Sequence, residues 1–331
     1  MTARPIPLPT FDDVRAAAQR LKGLAVETPL LESHALNERF GGRVLFKPEV
    51  LQRTGSFKFR GAYNKIASLA PEERARGVVA YSSGNHAQGV AAAAMMFGID
   101  AVIAMPHDAP EIKRRNVEAL GGTVITFDRF KDDRDAVVKA YVDEGRVLVK
   151  PFDDPLIIAG QGTVGLEIMA QAERLGMTPD VVVSPCGGGG LISGIALAVK
   201  ALSPAIEVWA AEPEHFDDTR RSLAEGRRIA NEPGHNSICD AILAPMPGEI
   251  TFAINRKALA GSVAVTDAAA AAAMRDAASY LKLVVEPGGA VALAILSTGE
   301  IDLAGRCMVV VLSGGNVDPG PYAGSSPVAK R

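Results

Sequence analysis

Four stretches of the chain hold residues that could do chemistry, and the first centres on a lysine. Gln52 to Ala62 reads Gln-Arg-Thr-Gly-Ser-Phe-Lys-Phe-Arg-Gly-Ala, with Lys58 between two phenylalanines and close behind a Thr-Gly-Ser turn. Apolar neighbours desolvate an amine, lower its pKa and free the neutral form to attack a carbonyl carbon, which is how Schiff bases form. An isolated Phe-Lys-Phe is better read as a lysine snorkelling from a helix. The other three stretches change that balance.

Ser184-Pro185-Cys186-Gly187-Gly188-Gly189-Gly190-Leu191 stands between a strand pattern and a helix pattern. Successive glycines let backbone N–H groups crowd round an anion at the positive end of a helix dipole, so phosphate is held without a cation. No Lys-Ser/Thr follows, which excludes a P-loop, and the glycines do not stand at the first, third and sixth places of the dinucleotide fingerprint. The competing reading is a tight, closely packed turn; four glycines in a row carry an entropic cost that packing alone rarely requires. Ser82-Ser83-Gly84-Asn85-His86 has the same placement. Its hydroxyls, amide and N–H groups can clamp a carboxylate, or Ser83 or Asn85 simply caps the helix. Ser313-Gly314-Gly315-Asn316 follows the last strand pattern.

The elements that must position these loops alternate along the chain. Strand patterns cover Val44–Lys47, Val78–Tyr81, Ala101–Ala104, Val124–Phe127, Val147–Val149, Val181–Val183, Glu207–Ala211 and Met308–Leu312. Helical patterns run from a Thr10 cap to Gly23 and over Ser33–Arg39, Gly61–Leu69, Asn85–Phe97, Pro110–Leu120, Asp132–Asp143, Gly162–Arg174 and Leu191–Leu202. Two more run from a Thr266 cap to about Lys282 and over Ala290–Leu296, while Arg220 to Pro247 is polar and irregular. Such βαβα alternation predicts an α/β protein of two doubly wound open-sheet lobes, with the loops at strand carboxyl ends, where such sheets bind ligands. We expect residues 1–77 and 151–331 to form the large domain, with 78–150 a small domain inserted in it and a loose tail from Gly320.

Composition narrows the function further. In 331 residues, 48% are apolar but only 5% aromatic, so the core must be built from Ala, Val, Ile and Leu. With 35 basic against 38 acidic residues, the net charge of −3 predicts neither nucleic acid nor an anionic membrane as partner. Cys186, Cys239 and Cys307 are odd in number and in no metal-ligand spacing, and the first ten residues lack an apolar core. Both features predict a reduced, cytoplasmic protein without a signal peptide. No apolar run reaches the roughly 20 residues of a membrane helix.

Lys58, the tetraglycine loop and Ser-Gly-Gly-Asn together resemble the pyridoxal-phosphate enzymes of the tryptophan-synthase β fold, closely the serine/threonine dehydratase and serine racemase family. The likeness runs from Thr28-Pro29-Leu30 to Asn316 and includes Ala159-Gly160-Gln161-Gly162-Thr163 and Val285-Glu286-Pro287. It implies pyridoxal 5'-phosphate as cofactor, with Lys58 forming the Schiff base and moving the Cα proton. Phe57 would lie against the ring, Asn85 bond its phenolic oxygen, Gly187, Gly188, Gly189, Gly190 and Leu191 hold the phosphate, and Ser313 face the pyridine nitrogen. A hydroxyl there does not enforce a pyridinium, so the ring is a weaker electron sink and elimination is favoured over transamination.

The resemblance also places Ser83 on the ring face opposite the lysine, and Ser82, Ser83, Asn85, His86 and Arg134 around the substrate carboxylate. Glu212, Asp218 and the carbonyl of Phe216 match a site for Mg²⁺ or Ca²⁺, although an acidic loop that also holds Glu214 and Asp217 could simply be solvated. Asp240 to Pro247 departs from the racemase pattern. The implied activity is dehydration and deamination of L-threonine or L-serine to 2-oxobutyrate or pyruvate and ammonia, by a short catabolic homodimer without a C-terminal regulatory domain. Serine racemase and β-hydroxyaspartate dehydratase are the rivals, the second needing an extra cation, for which Arg134 is the candidate. His107, His215 and His235 read as surface or capping residues, and Lys113-Arg114-Arg115 as a solvated helix face.

Overall fold

Strands such as Val181–Pro185 and Val78–Tyr81 carry β-branched residues in unbroken runs, and parallel sheets covered on both faces require such runs. The architecture is that of a computed structural model, which describes residues 7–82, 84–107, 109, 111–128 and 131–318, without the side chains of residues 134 and 135. The tail from Gly320 lies outside them.

The strands are β1 (Leu31–Glu32), β2 (Arg43–Pro48), β3 (Val78–Tyr81), β4 (Ala101–Pro106), β5 (Thr123–Phe127), β6 (Val147–Leu148), β7 (Val181–Pro185), β8 (Glu207–Pro213), β9 (Gly261–Val265) and β10 (Cys307–Leu312). They form two sheets, ordered β1-β2-β10-β7-β8-β9 and β5-β4-β3-β6. All neighbours run parallel except β1, which pairs antiparallel with β2 at the edge. The four-stranded sheet draws only on residues between Val78 and Leu148, whereas the larger sheet takes strands from both sides of that segment. Its register sets Phe46, Val310, Val183, Trp209 and Gly261 in one row.

Several elements differ from the sequence patterns, each for a physical reason. The helix expected from Gly162 begins at Pro155, because Asp154 accepts from the N–H groups of Leu156 and Ile157 and a proline suits the first turn. Its glycines look like breakers but are contact points. A Cβ on Gly162 would lie 2.8 Å from the Gly194 carbonyl of helix Gly190–Leu202. Helix Glu249–Ala258 and strand β9 had no pattern assigned to them. The helix starts where Asp153, 96 residues earlier, takes up the Glu249 and Ile250 N–H groups, and β9 opens on Gly261 because Trp209 packs over it. Helix Asp218–Glu225 lies partly inside the stretch read as irregular.

Candidate active site

The chain leaves β2 at Pro48, turns through Thr54 and Gly55, both with positive φ, and enters helix Lys58–Ala67. Lys58 opens that helix, three residues earlier than its apolar pattern implies. The turn is laced to the Ser313–Asn316 loop: Phe57 N–H donates to the Ser313 carbonyl at 3.2 Å, and Gly315 N–H to the Gly55 carbonyl at 2.9 Å. Lys58 Nζ lies 5.1 Å from the centre of the Phe57 ring and donates to the Pro151 carbonyl at 2.8 Å. Burial lowers its pKa to about 8, against the opposing pull of the Glu286 carboxylate. A substantial neutral fraction is therefore present near that pH.

The tetraglycine segment links β7 to helix Gly190–Leu202 and turns the helix N-terminus toward Lys58. Close packing alone accounts for its glycines. A Cβ on Gly188 would strike the Phe152 ring, and one on Gly187 or Gly190 would lie 3.0 Å from Ile242 Cα or 2.7 Å from Gln161 Oε1. Gly189 has φ +91°, closed to most side chains. The case for an anion here therefore rests on the N–H groups that the first turn of a helix leaves unpaired, and not on the glycine count.

From β3 the chain passes through Ser82 to helix Asn85–Phe97. Asn85 does not cap that helix: its side chain reaches Glu286 and Asn316. His86 is buried, its Nε2 is 2.8 Å from the Val149 carbonyl, and burial, with the Lys58 charge, pushes its pKa down to about 3. A carbonyl only accepts, so Nε2 carries the proton and Nδ1 a lone pair. The His86 ring thus offers no donor to a carboxylate, and the donor it has for the implied role is its main-chain N–H in the first turn of helix Asn85–Phe97. Ser83 and the side chain of Arg134 lie outside the described residues.

Lys58, Phe57, Ser82, Asn85, His86, the four glycines, Leu191 and Ser313 line one cavity of about 170 Å³. Three further wall residues had no role assigned from sequence. Phe152 faces the glycines. Glu286 is 1% exposed, and burial raises its pKa to about 7 against the lowering effects of Lys113 and the Asn85 amide. Lys113 is 6% exposed and donates to Asp240 at 2.6 Å, so it is no solvated-face residue. One sign was available: it stands four places before buried Val117, on the same helix stripe.

The profile of the family described as "Pyridoxal-phosphate dependent enzyme" matches residues 21–314. The chain belongs to that family. Among curated relatives it is similar to L-threonine ammonia-lyase of Thermotoga maritima, 43% identical over 93% of this chain and 76% of the relative. It is also similar to L-threo-3-hydroxyaspartate ammonia-lyase of Saccharomyces cerevisiae, 39% identical over 96% of each chain. Maize serine racemase superposes with a TM-score of 0.90 at 37% identity, covering 96% of both chains. The two-sheet architecture is that of these pyridoxal-phosphate-dependent enzymes.

The cavity suits the family's cofactor. It offers an amine of lowered pKa, an anion-binding helix start, a hydroxyl at Ser313 and, in its wall, a buried polar atom without a partner, Glu286 Oε2. The expected cation ligands are separate from it. Glu212 and Asp218 are buried close enough that Asp218 adds to the rise in the Glu212 pKa, which burial chiefly drives to about 8. Asp218, raised mainly by burial to about 7, leaves Oδ2 unpartnered. Glu212 already accepts from Thr219 and Arg220 N–H at the start of helix Asp218–Glu225. Among the described residues no three His, Cys, Asp or Glu side chains converge as a metal group, so a hard cation here would lean on carbonyls and water. Those residues also include no helix long and apolar enough to cross a membrane.

Proposed function

We propose that this enzyme converts small β-hydroxy amino acids, L-threonine and L-serine, to 2-oxobutyrate and pyruvate with release of ammonia. Lys58 supports the reading most: an amine of lowered pKa, hydrogen-bonded to a carbonyl and free of any ion pair among the described residues, at the wall of a cavity that all three loops share. When bound, pyridoxal phosphate supplies an aldehyde for amines and a conjugated ring that takes up negative charge from Cα. Lys58 would supply the amine for that aldehyde and the base for the Cα proton. The N–H groups of Gly187 to Leu191 would hold the phosphate, and Phe57 packs beside the lysine. Ser313 would offer the ring nitrogen a hydroxyl and not a carboxylate, which favours loss of a β-hydroxyl over transamination. Water is lost and later added back, so the net change is substrate to 2-oxo acid plus ammonia.

Ser82 and the main-chain N–H groups of Asn85 and His86 at the start of helix Asn85–Phe97 would take the substrate carboxylate, with Ser83 as the acid–base group on the opposite face. On this reading residues 78–150, which carry that loop and Lys113, act as a smaller unit inserted between 1–77 and 151–331. Glu212, Asp218 and the Phe216 carbonyl would hold Mg²⁺ or Ca²⁺ away from the chemistry. A second reading, elimination from β-hydroxyaspartate, is favoured by Lys113, a cation in the cavity wall that could meet a second carboxylate. Oxo-acid release from L-threonine, L-serine and β-hydroxyaspartate, with chiral analysis of residual serine, tests both. Pyruvate and 2-oxobutyrate support the first reading and a preference for oxaloacetate the second. Release of none by cofactor-loaded protein refutes both, and D-serine without pyruvate makes the protein a racemase.

A further inference from the structure

Asn316 ends the third loop, and its contacts determine which way the Asn85 amide faces. Thr54 holds its backbone at φ +60°, in the left-handed region that a β-branched residue adopts only when its surroundings impose it. Its carbonyl can only accept, and it accepts from Asn316 Nδ2 at 2.7 Å. The same Nδ2 donates to Asn85 Oδ1 at 2.8 Å. Asn85 Nδ2 is thereby turned to the Glu286 carboxylate, which takes one of its two hydrogens. Reversed, the amide would set N–H against N–H at Asn316 and oxygen against carboxylate at Glu286. Every link has one consistent polarity, fixed from the end where the Thr54 carbonyl can only accept.

Two glycines keep the path of this chain clear. A Cβ on Gly55 would lie 2.6 Å from Asn316 Oδ1, and one on Gly314 would collide with Glu286 Oε1 and come within 3.0 Å of Asn85 Nδ2. The glycine of Thr-Gly-Ser and the first of Ser-Gly-Gly-Asn therefore make room for the same polar relay.

We propose that Asn316 is a positioning residue for the cofactor: with the Thr54 carbonyl it holds the Asn85 amide so that the second Nδ2 hydrogen faces the phenolic oxygen of the ring. The inference rests on the reading of Asn85 as donor to that oxygen. A donor there stabilises the oxygen's anionic form, which the visible absorbance of bound cofactor reports. The test compares Asn316→Asp, Asn316→Ala, Asn85→Ala and the double variant Asn85→Ala/Asn316→Ala. Equilibrium dialysis measures pyridoxal phosphate affinity, spectra are recorded on the bound cofactor, and circular dichroism monitors the fold.

The carboxylate introduced by Asn316→Asp cannot donate, so the Asn85 amide loses its preferred orientation. Affinity should fall about tenfold or more, as for loss of a hydrogen bond to a charged group, and the visible band should move to shorter wavelength, as in Asn85→Ala. Because Asn316 acts through Asn85, the double variant should be no weaker than Asn85→Ala alone. Unchanged affinity and spectrum in both Asn316 variants, or additive losses in the double variant, overturns the proposal. So does unfolding of both Asn316 variants, which would give the residue a structural role. If Asn85→Ala itself leaves affinity and spectrum untouched, the reading of Asn85 fails and carries the inference with it.

Discussion

Lys58 and Arg60 stand two residues apart at the start of one helix, and both are charged groups taken largely out of water. Arg60, 1% exposed, is held by Glu49 at 2.8 Å and 2.9 Å and by Glu167, and Glu167 also bonds Lys47 at 2.6 Å. Burial works against the Arg60 charge, but the Glu49 and Glu167 carboxylates outweigh it and raise its pKa. Burial likewise lowers Lys47, which Glu167 and Glu49 partly restore. Lys58 has one carbonyl contact and no such carboxylate pairing; its pKa falls. Cations matched by partners in one protein wall make structure, and a cation left poorly matched two residues away is available for chemistry.

The comparison breaks first at Lys58. Replacing it with alanine should cut oxo-acid release by about 10⁴-fold or more, the scale of losing a covalent catalyst, with the circular dichroism of the fold unchanged. Ordinary turnover in that variant would remove the contrast altogether. Arg60→Met should show the opposite pattern. Glu49 is left buried without its partner, at a cost of about 3–5 kcal/mol in urea unfolding. A variant as stable as the parent would mean that the cluster is not structural.

Glu212 and Asp218 sharpen the contrast, being buried acids that form no ion pair among the described residues. Each binds its proton more tightly folded than unfolded, so this contribution to stability is complete below about pH 4 and is lost as pH rises through the folded values near 7 and 8. Cation-free protein should lose up to about 1.4 kcal/mol per pH unit for each group between about pH 5 and 8. Mg²⁺ or Ca²⁺ should restore the melting temperature at pH 8, and Glu212→Gln should flatten the slope. Melting that ignores both pH and cation would leave these acids without the proposed role. The smallest effect belongs to Lys113 and Asp240, a pair whose acid is 47% exposed. Asp240→Asn should change stability by less than about 1 kcal/mol and lower KM for β-hydroxyaspartate a few-fold while leaving L-serine alone. Equal shifts for the two substrates would exclude Lys113 from recognising the second carboxylate.

What was legible in the sequence was local. Strand runs such as Val181–Val183, and the loops that separate them from helices, depend on periodicity and on glycine within a few residues, and they led to the sheets, the family and the cavity's lysine. The helical pattern begins at Gly162 and not at Pro155, because glycine weakens a local helix signal, whereas Gly160 and Gly162 serve in the structure as close helix contacts. Likewise Lys113 read as surface because its neighbours in sequence are arginines.

The sequence by itself determined the fold class, the cofactor family and Lys58, because each is written in residues close together along the chain. Only the tertiary structure decided that His86 is neutral, that Glu286 and Lys113 belong to the cavity wall, and how the Asn85 amide is turned. Those outcomes depend on burial and on hydrogen bonds between residues 201 and 262 positions apart, Asn85 with Glu286 and Asn316 with Thr54. No local pattern encodes a contact at that separation: Asn316 meets Thr54 only once β10 pairs with β2, and Asn85 meets Glu286 only once the loop after β3 of the smaller sheet reaches the larger one.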